Sequence, residues 1–377
     1  MQTENNTKNI TVVLTPFDEY NPYLSELAGH LCEEGCRVIT SGDLKDAYKI
    51  IIRGGEKVDV LHLHWLRIKT GSNIFRTLIR VFAYLARLVN LRRRGVKIVW
   101  TVHNMLPHET TRPRLELWVR KIAAKLANVL LVHSEGAKQQ IVSRYKLKNS
   151  SKVRVIEHGN YIGFYPNEIS KQQARRQLGI DEDKTVILCF GTLRPYKNVE
   201  GLIYNFANVA KDDAQLLVVG HPLSEQYGRG ITDYASRYEN VTVIAEYVPS
   251  EQVQVYMNAC DAVVFAYSNS LTSGVALLAM SFGRACIAPR STAFEEVLDE
   301  AGAFLFDPDD GHGPAETIRR TIAEREKLDA MGRYNYERAA QWDWMTISRK
   351  VLGVYFEVLG KKASERSQLA GITNFCD

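Results

Sequence analysis

The chain has 377 residues, 45% of them hydrophobic and 24% charged, with a formal net charge of +5. That is an ordinary globular composition, long enough for two domains with a core each. No run reaches the roughly eighteen uncharged apolar residues of a membrane span, and residues 1–9 are polar, without the apolar core of a signal peptide.

Six cysteines are scattered along the chain: Cys32, Cys36, Cys189, Cys260, Cys286 and Cys376. Cys32 and Cys36 stand one helical turn apart, but no second Cys or His pair completes a zinc pattern. The expectation is a soluble chain in a reducing cytoplasm. Charge is unevenly spread: up to Tyr165 there are 26 Lys and Arg against 14 Asp and Glu, and beyond it 22 against 29. The basic first half therefore suits an anionic partner, whether a membrane surface, a nucleic acid or a phosphorylated substrate.

In chain order, apolar β-branched runs predict strands at 10–14, 37–40, 58–64, 97–102, 129–133 and 153–157. Helical patterns fill the gaps, for example at 22–34 and 115–126. A second series predicts strands at 185–190, 215–219, 241–245, 262–266, 285–288 and 304–306, with helices at 199–210, 251–259 and 273–282. Such alternation gives parallel sheets covered on both faces. The fold class is α/β: two doubly wound, Rossmann-like domains, 1–165 and 166–344, facing a central cleft. A helix at 345–360 is expected to pack back on the first domain, and 361–377 to form a flexible tail.

The helix near 74–91 is unusual. Phe75, Leu78, Ile79, Phe82, Leu85 and Leu88 recur at helical spacing, punctuated by Arg76, Arg80 and Arg87 and closed by Arg92–Arg94. It reads either as a basic amphipathic helix lying in a membrane interface, or as a surface helix packed on its sheet, with its last arginines complementing the helix dipole.

Three groups carry chemistry. Gly191 follows a strand and is followed by Arg194, Tyr196 and Lys197 at the start of a helix. Glycine permits a tight turn and close backbone approach. Arg and Lys bind phosphate as a fork and as a point charge, which suits a leaving diphosphate. The alternative is a strand–helix turn that happens to carry two cations. The second group runs from Tyr267 to Val275, follows an apolar strand and opens an apolar helix with Ser268, Asn269, Ser270, Thr272, Ser273 and Gly274. Free N–H groups at a helix start form an anion site, although plain N-capping has the same appearance.

The third group lies in the first half. His62, His64 and Trp65 end one predicted strand, and His103, Asn104, His108 and Glu109 follow the next. Two strand ends thus deliver imidazoles and a carboxylate to one edge, the raw material of a general base. For His62 a hydrogen-bonded strand residue is the simpler reading. His158 and Tyr161 flank a glycine at the domain junction; they either reach a cleft or belong to a turn. No HExxH occurs, and Asp307-Pro308-Asp309-Asp310 reads as a turn, so no catalytic metal is expected.

Together these residues resemble the GT-B glycosyltransferases of the family 4 group, and among them the bacterial exopolysaccharide mannosyltransferases of the xanthan-assembly type. The matching pieces are Asn21-Pro22-Tyr23-Leu24, the run 59–65 ending His64-Trp65, His103-Asn104 with Pro107-His108-Glu109, Gly191 with Arg194–Lys197, and Ser273-Gly274 with Ala279, Gly283 and Pro289. The resemblance implies a nucleotide-sugar donor, GDP-mannose before UDP-sugars, in the second domain. Gly191, Arg194, Tyr196, Lys197, Thr272, Ser273, Gly274 and Glu246 would bind it. It implies a polyprenyl-diphosphate-linked acceptor in the first domain, near Asn21, Tyr23, His64 and Trp65, at the inner membrane face. It further implies inverting transfer with no cofactor. Glu109 is the expected base, His103 its positioning or phosphate-contacting partner, and His108 the substitute base.

Two departures stand out. Retaining relatives carry two Glu around the second turn, where this chain has Leu271 and Leu278-Ala279. Leu66 follows Trp65 where the xanthan-type relatives place Pro. A retaining transferase on the same fold and a nucleotide-sugar-binding protein without transfer activity are the rival readings. Nucleic-acid binding lacks any recognised module.

Overall fold

The computed structural model describes residues 10–55, 57–68, 73–107, 110–210, 212–268 and 270–361, which fall into two compact units. Among the described residues the first comprises those from 10 to 159 with 343–361, the second those from 160 to 342.

The first unit holds β1 (Thr11–Thr15), β2 (Arg37–Thr40), β3 (Val60–Leu63), β4 (Lys97–Thr101), β5 (Val129–Val132) and β6 (Val153–Val155), in the order β2-β1-β3-β4-β5-β6 and parallel throughout. β3 and β5 are buried along their whole length, as expected of strands covered by helices on both faces. The helix Trp344–Leu359 belongs to this unit and buries Trp344, Ile347, Val351, Leu352, Tyr355 and Phe356 against the same core as β1 and the helix Pro22–Glu33. Its Arg349 pairs with Glu34 at 2.6 Å.

The second unit holds β7 (Thr185–Phe190), β8 (Ala214–Val219), β9 (Val241–Ile244), β10 (Ala262–Val264), β11 (Ala285–Pro289) and β12 (Ala303–Phe306), in the order β12-β11-β10-β7-β8-β9, again all parallel. The chain leaves β7 in one direction and β10 in the other, so the strand order reverses between them. In open parallel sheets that switch point, at the carboxyl ends, is where ligands bind.

The expected boundary at Tyr165 falls instead between Gly159 and Asn160. The Asn160 N–H donates to the Trp342 carbonyl, its carboxamide to Ala339, and the Tyr161 N–H to Ser281 Oγ, each at 2.9 Å. These bonds fix 160–161 to the second unit. Gly159 belongs to the first, where any Cβ would strike the Trp344 ring.

The helix Ile74–Arg93 divides its apolar residues between two faces. Thr77, Val81, Tyr84, Leu85, Leu88 and Leu91 are buried. Phe75, Ile79 and Phe82 are 75%, 68% and 59% exposed. Packing on the sheet therefore accounts for only half of the apolar pattern. Among the described residues no helix is long and apolar enough to cross a membrane.

Candidate functional site

In the second unit both anion-suited turns stand at the switch point, one after β7 and one after β10. Gly191 turns with φ +94°, and a Cβ there would sit 3.2 Å from Val275 Cγ2 and 3.4 Å from Lys197 Nζ. The backbone thus passes close to both the cation and the second helix. Gly220, directly after β8, has φ +151°, and any Cβ on it would strike the Gly191 carbonyl. Leu193 N–H donates to His221 O at 2.8 Å, and Leu223 N–H to Leu193 O at 2.9 Å, fastening the loop to its neighbour. Gly191→Ala is expected to destabilise this unit by about 1–2 kcal/mol, the cost of a side chain in left-handed backbone, and to weaken nucleotide binding. Calorimetry and a nucleotide titration of the variant check both effects.

Lys197 ends a short 3-10 turn, Pro195–Lys197, and is only 5% exposed. Its Nζ lies 5.7 Å from the centroid of the Tyr267 ring. Among the described residues no hydrogen bond or ion pair reaches its ammonium, while burial, with Arg194 nearby, pushes its pKa down. Arg194 and Tyr196 are half-buried, and Tyr196 meets Tyr267 edge-on at 5.7 Å.

Tyr267 also joins the two turns. Its hydroxyl is 2.9 Å from Ser273 Oγ, which in turn accepts from Ala276 N–H at 3.2 Å and caps the helix Gly274–Ser281. Gly274 leaves room for the Tyr161 hydroxyl, 3.2 Å from where a Cβ would stand. Thr272 is half-buried, and Glu246, beyond β9, is exposed. Asp307 directly follows β12, but its Oδ1 accepts from Asp309 N–H and Asp310 Oδ1 from His312 N–H, both at 2.9 Å, closing turns. Among the described residues no group of three or more His, Cys, Asp or Glu is placed to hold a metal ion.

In the first unit, His64, His103, His133 and His158 lie beyond the ends of β3, β4, β5 and β6. Their rings gather around Tyr23, with centroids at 5.7, 4.9, 5.4 and 4.8 Å. His64 Nδ1 and His103 Nε2 are 3.2 Å apart. Trp65 stacks on His103 at 4.2 Å. His133 Nδ1–H donates to the Ile156 carbonyl at 2.9 Å and His158 Nδ1–H to Gly159 O at 2.7 Å, which sets both tautomers. His62 lies within the strand, bonded to the Tyr355 hydroxyl at 2.7 Å and Thr101 Oγ1 at 2.8 Å. That is the structural role anticipated for it.

Burial keeps every one of these imidazoles neutral. It lowers His62 and His158 to about 3 and His133 to about 4. His64 and His103 fall well below the usual value, with their neighbouring imidazoles adding to the effect of burial. Without a ligand His103 is therefore a neutral hydrogen-bonding group. Tyr23, expected near the acceptor, is buried among the rings, and its phenol is pushed up by that burial. Asn21 caps the helix Pro22–Glu33 by accepting from Tyr23 N–H at 3.1 Å. Trp65 is half-buried. Arg120 pairs with Glu116 and donates to the Leu66 carbonyl at 3.3 Å, holding the segment that carries His64 and Trp65. The expected bases Glu109 and His108 lie outside the described residues. His133 and Tyr355 were not anticipated, nor was the contact of Tyr267 with Lys197, although Tyr267 opens the second turn; the position of His133, directly after an apolar run, marks it in the sequence.

The Glycosyltransferase Family 4 description matches residues 22–160, and the Glycosyl transferases group 1 description matches residues 170–338. The chain is 26% identical over 318 residues to a GDP-mannose:glycolipid 4-beta-D-mannosyltransferase of Xanthomonas campestris pv. campestris, covering 81% of each. It is 24% identical over 328 residues to a D-inositol 3-phosphate glycosyltransferase of Corynebacterium efficiens, covering 81% of this chain and 72% of that one. Its fold is similar to Anabaena HepE in complex with UDP and glucose, with TM-score 0.71, 16% identity and coverage of 93% and 100%. It is also similar to sucrose-phosphate synthase from Thermosynechococcus elongatus, with TM-score 0.74, 18% identity and coverage of 94% and 100%. With a family 4 first half joined to a group 1 second half, both built as parallel α/β units, the chain belongs to the GT-B glycosyltransferases and is a sugar-transferring enzyme.

Proposed function

We propose that this enzyme transfers mannose from GDP-mannose to a polyprenyl-diphosphate-linked saccharide at the inner membrane face, with inversion and without a metal or other cofactor. The observation that carries this reading is Lys197. A buried cation with no carboxylate partner among the described residues costs stability, and an anionic ligand offsets that cost. The leaving diphosphate gains charge as the glycosidic bond breaks, so Lys197 and Arg194 stabilise the transition state more than the ground state.

The donor and acceptor assignment is supported by the likeness to the Xanthomonas enzyme, whose name specifies GDP-mannose, a glycolipid and a β-linkage. Inversion is supported by the lack of a carboxylate at Leu271 and at Leu278-Ala279, the stretch where the resemblance places the two Glu of retaining members. Glu109 takes the acceptor hydroxyl proton, with His108 as the substitute, while His103 positions the base or bonds to the donor phosphate. Asn21, His64 and Trp65 serve the acceptor side. Incubation with GDP-mannose and a polyprenyl-diphosphate saccharide, followed by NMR of the product, tests this. A β-mannoside is expected; an α-mannoside would place the chain among the retaining enzymes.

The exposed Phe75, Ile79 and Phe82, with Arg76, Arg92 and Arg93 on the same helix and Arg94 at its C-cap, fit the interface of an anionic bilayer. Full burial of such a side chain is worth roughly 1.5–3 kcal/mol, so even partial insertion of three is substantial. Replacing all three by Ser is expected to weaken binding to phosphatidylglycerol-containing vesicles at least ~10-fold. Sedimentation with those vesicles and with phosphatidylcholine alone checks this, and equal binding by the variant would contradict it.

A further inference from the structure

The second unit carries a cavity of about 240 Å³ that none of Gly191, Arg194, Lys197, Ser273 or Gly274 lines. It opens beside the carboxyl ends of β10, β11 and β12, between the helices Val199–Val209 and Gly313–Ala323. At about 30 Å³ per water it exceeds the space one or two structural waters need, and it falls below the roughly 300–1,000 Å³ of pockets for larger ligands. One six-membered ring matches that size.

The lining is selective. Leu202 and Phe306, with the prolines around β11 and β12, form apolar walls, and no charged side chain contributes. Asn198, Asn205 and Ser268 supply the polar groups. Among the described residues none of these three side chains hydrogen-bonds to another protein group. Two carboxamides and a hydroxyl offer donors and acceptors together. That combination suits neighbouring hydroxyls on a ring, whose C–H faces rest on the apolar walls. The absence of a cation among the lining residues disfavours a phosphate or carboxylate.

We propose that this cavity is an auxiliary carbohydrate site that binds one neutral pyranose ring. It adjoins the diphosphate grip through Asn198, which directly follows Lys197, and through Tyr267 and Ser268 of the turn after β10, where the Tyr267 hydroxyl bonds to Ser273. The proposal does not depend on which nucleotide sugar is the donor.

The test uses saturation-transfer NMR on the full chain with GDP present in excess to occupy the donor turns. The probes are methyl α-D-mannopyranoside, methyl β-D-glucopyranoside and mannose 1-phosphate. At least one methyl glycoside is expected to give saturable transfer, with mannose 1-phosphate at least several-fold weaker. Asn205→Leu keeps the volume, removes the carboxamide and is expected to abolish the transfer. Asn205→Ser, smaller but still polar, should retain part of it. GDP affinity, measured separately on each variant, reports that the unit is folded and is expected to be unchanged. No transfer from any neutral glycoside, transfer that survives Asn205→Leu, or stronger binding of the phosphorylated sugar would each overturn the proposal. Failure of GDP to bind the wild type would count against the donor reading and not against this site.

Discussion

Lys197→Met is expected to lower kcat/KM by about 10²–10³, the usual loss when one preorganised donor to a developing anion is removed, while raising the melting temperature of the second unit. The two effects have one cause. Burial lowers the Lys197 pKa, so folding disfavours its charged form. The pKa is lowered from 10.5 on folding, so at neutral pH, where the lysine is charged, the folded state bears the desolvation penalty. Methionine has similar length, keeps contact with Tyr267 and bears no such penalty. For a unit of this size each 1 kcal/mol regained raises the melting temperature by about 2–4 °C. A gain in stability with a loss of activity is what a site held in readiness for a ligand produces. A lysine serving only to pack the turn would lose stability on substitution and leave kcat/KM unchanged. Steady-state kinetics and scanning calorimetry of the one variant decide between these.

Acidification from about pH 7.5 to about pH 5.5 is expected to destabilise the first unit by as much as ~7 kcal/mol, of the order of a whole domain's stability. Five imidazoles are responsible: His62, His64, His103, His133 and His158. Each has a folded pKa below its unfolded value of 6.5. Above 6.5 both states are neutral and stability is full. Below it the unfolded chain takes up protons that the folded unit refuses until about pH 4 to 3 for His133, His62 and His158. Each group therefore withdraws about 1.4 kcal/mol per pH unit in that window. The second unit has no comparable cluster among its described residues and should keep its transition. Calorimetry at three pH values checks this, and a first-unit transition that does not move would contradict the burial of the rings as neutral groups.

The twelve strands were legible because each is a short apolar run, rich in Val, Ile and Leu, bounded by turn residues. Their ends differ from expectation by a residue or two, as at β3, where His64 lies past the last paired residue. Gly191 and Ser273 were legible for local reasons: one needs positive φ, and the other caps a helix. What could not be read is what long-range contact creates. The sequence marks Lys197 as a cation suited to phosphate but not as a buried one, and the loop after β10, some seventy residues on, brings Tyr267 over it. The four strand-end histidines are far apart in the chain, and a parallel sheet with order β2-β1-β3-β4-β5-β6 is what brings them to one edge. The stripe on the helix Ile74–Arg93 read as one apolar face, because periodicity does not tell which half of a wide stripe meets the sheet.

If the second unit grips the diphosphate of a nucleotide-sugar donor, that donor stabilises it. Scanning calorimetry with GDP-mannose, and UDP-glucose alongside, measures that stabilisation most directly. A ligand at about 100 times its dissociation constant stabilises the form that binds it by about 2.7 kcal/mol. GDP-mannose at that excess is expected to raise the second unit's melting temperature, and Lys197→Met to remove the shift. A transition unmoved by either nucleotide sugar, or a shift that survives Lys197→Met in full, would contradict the diphosphate grip.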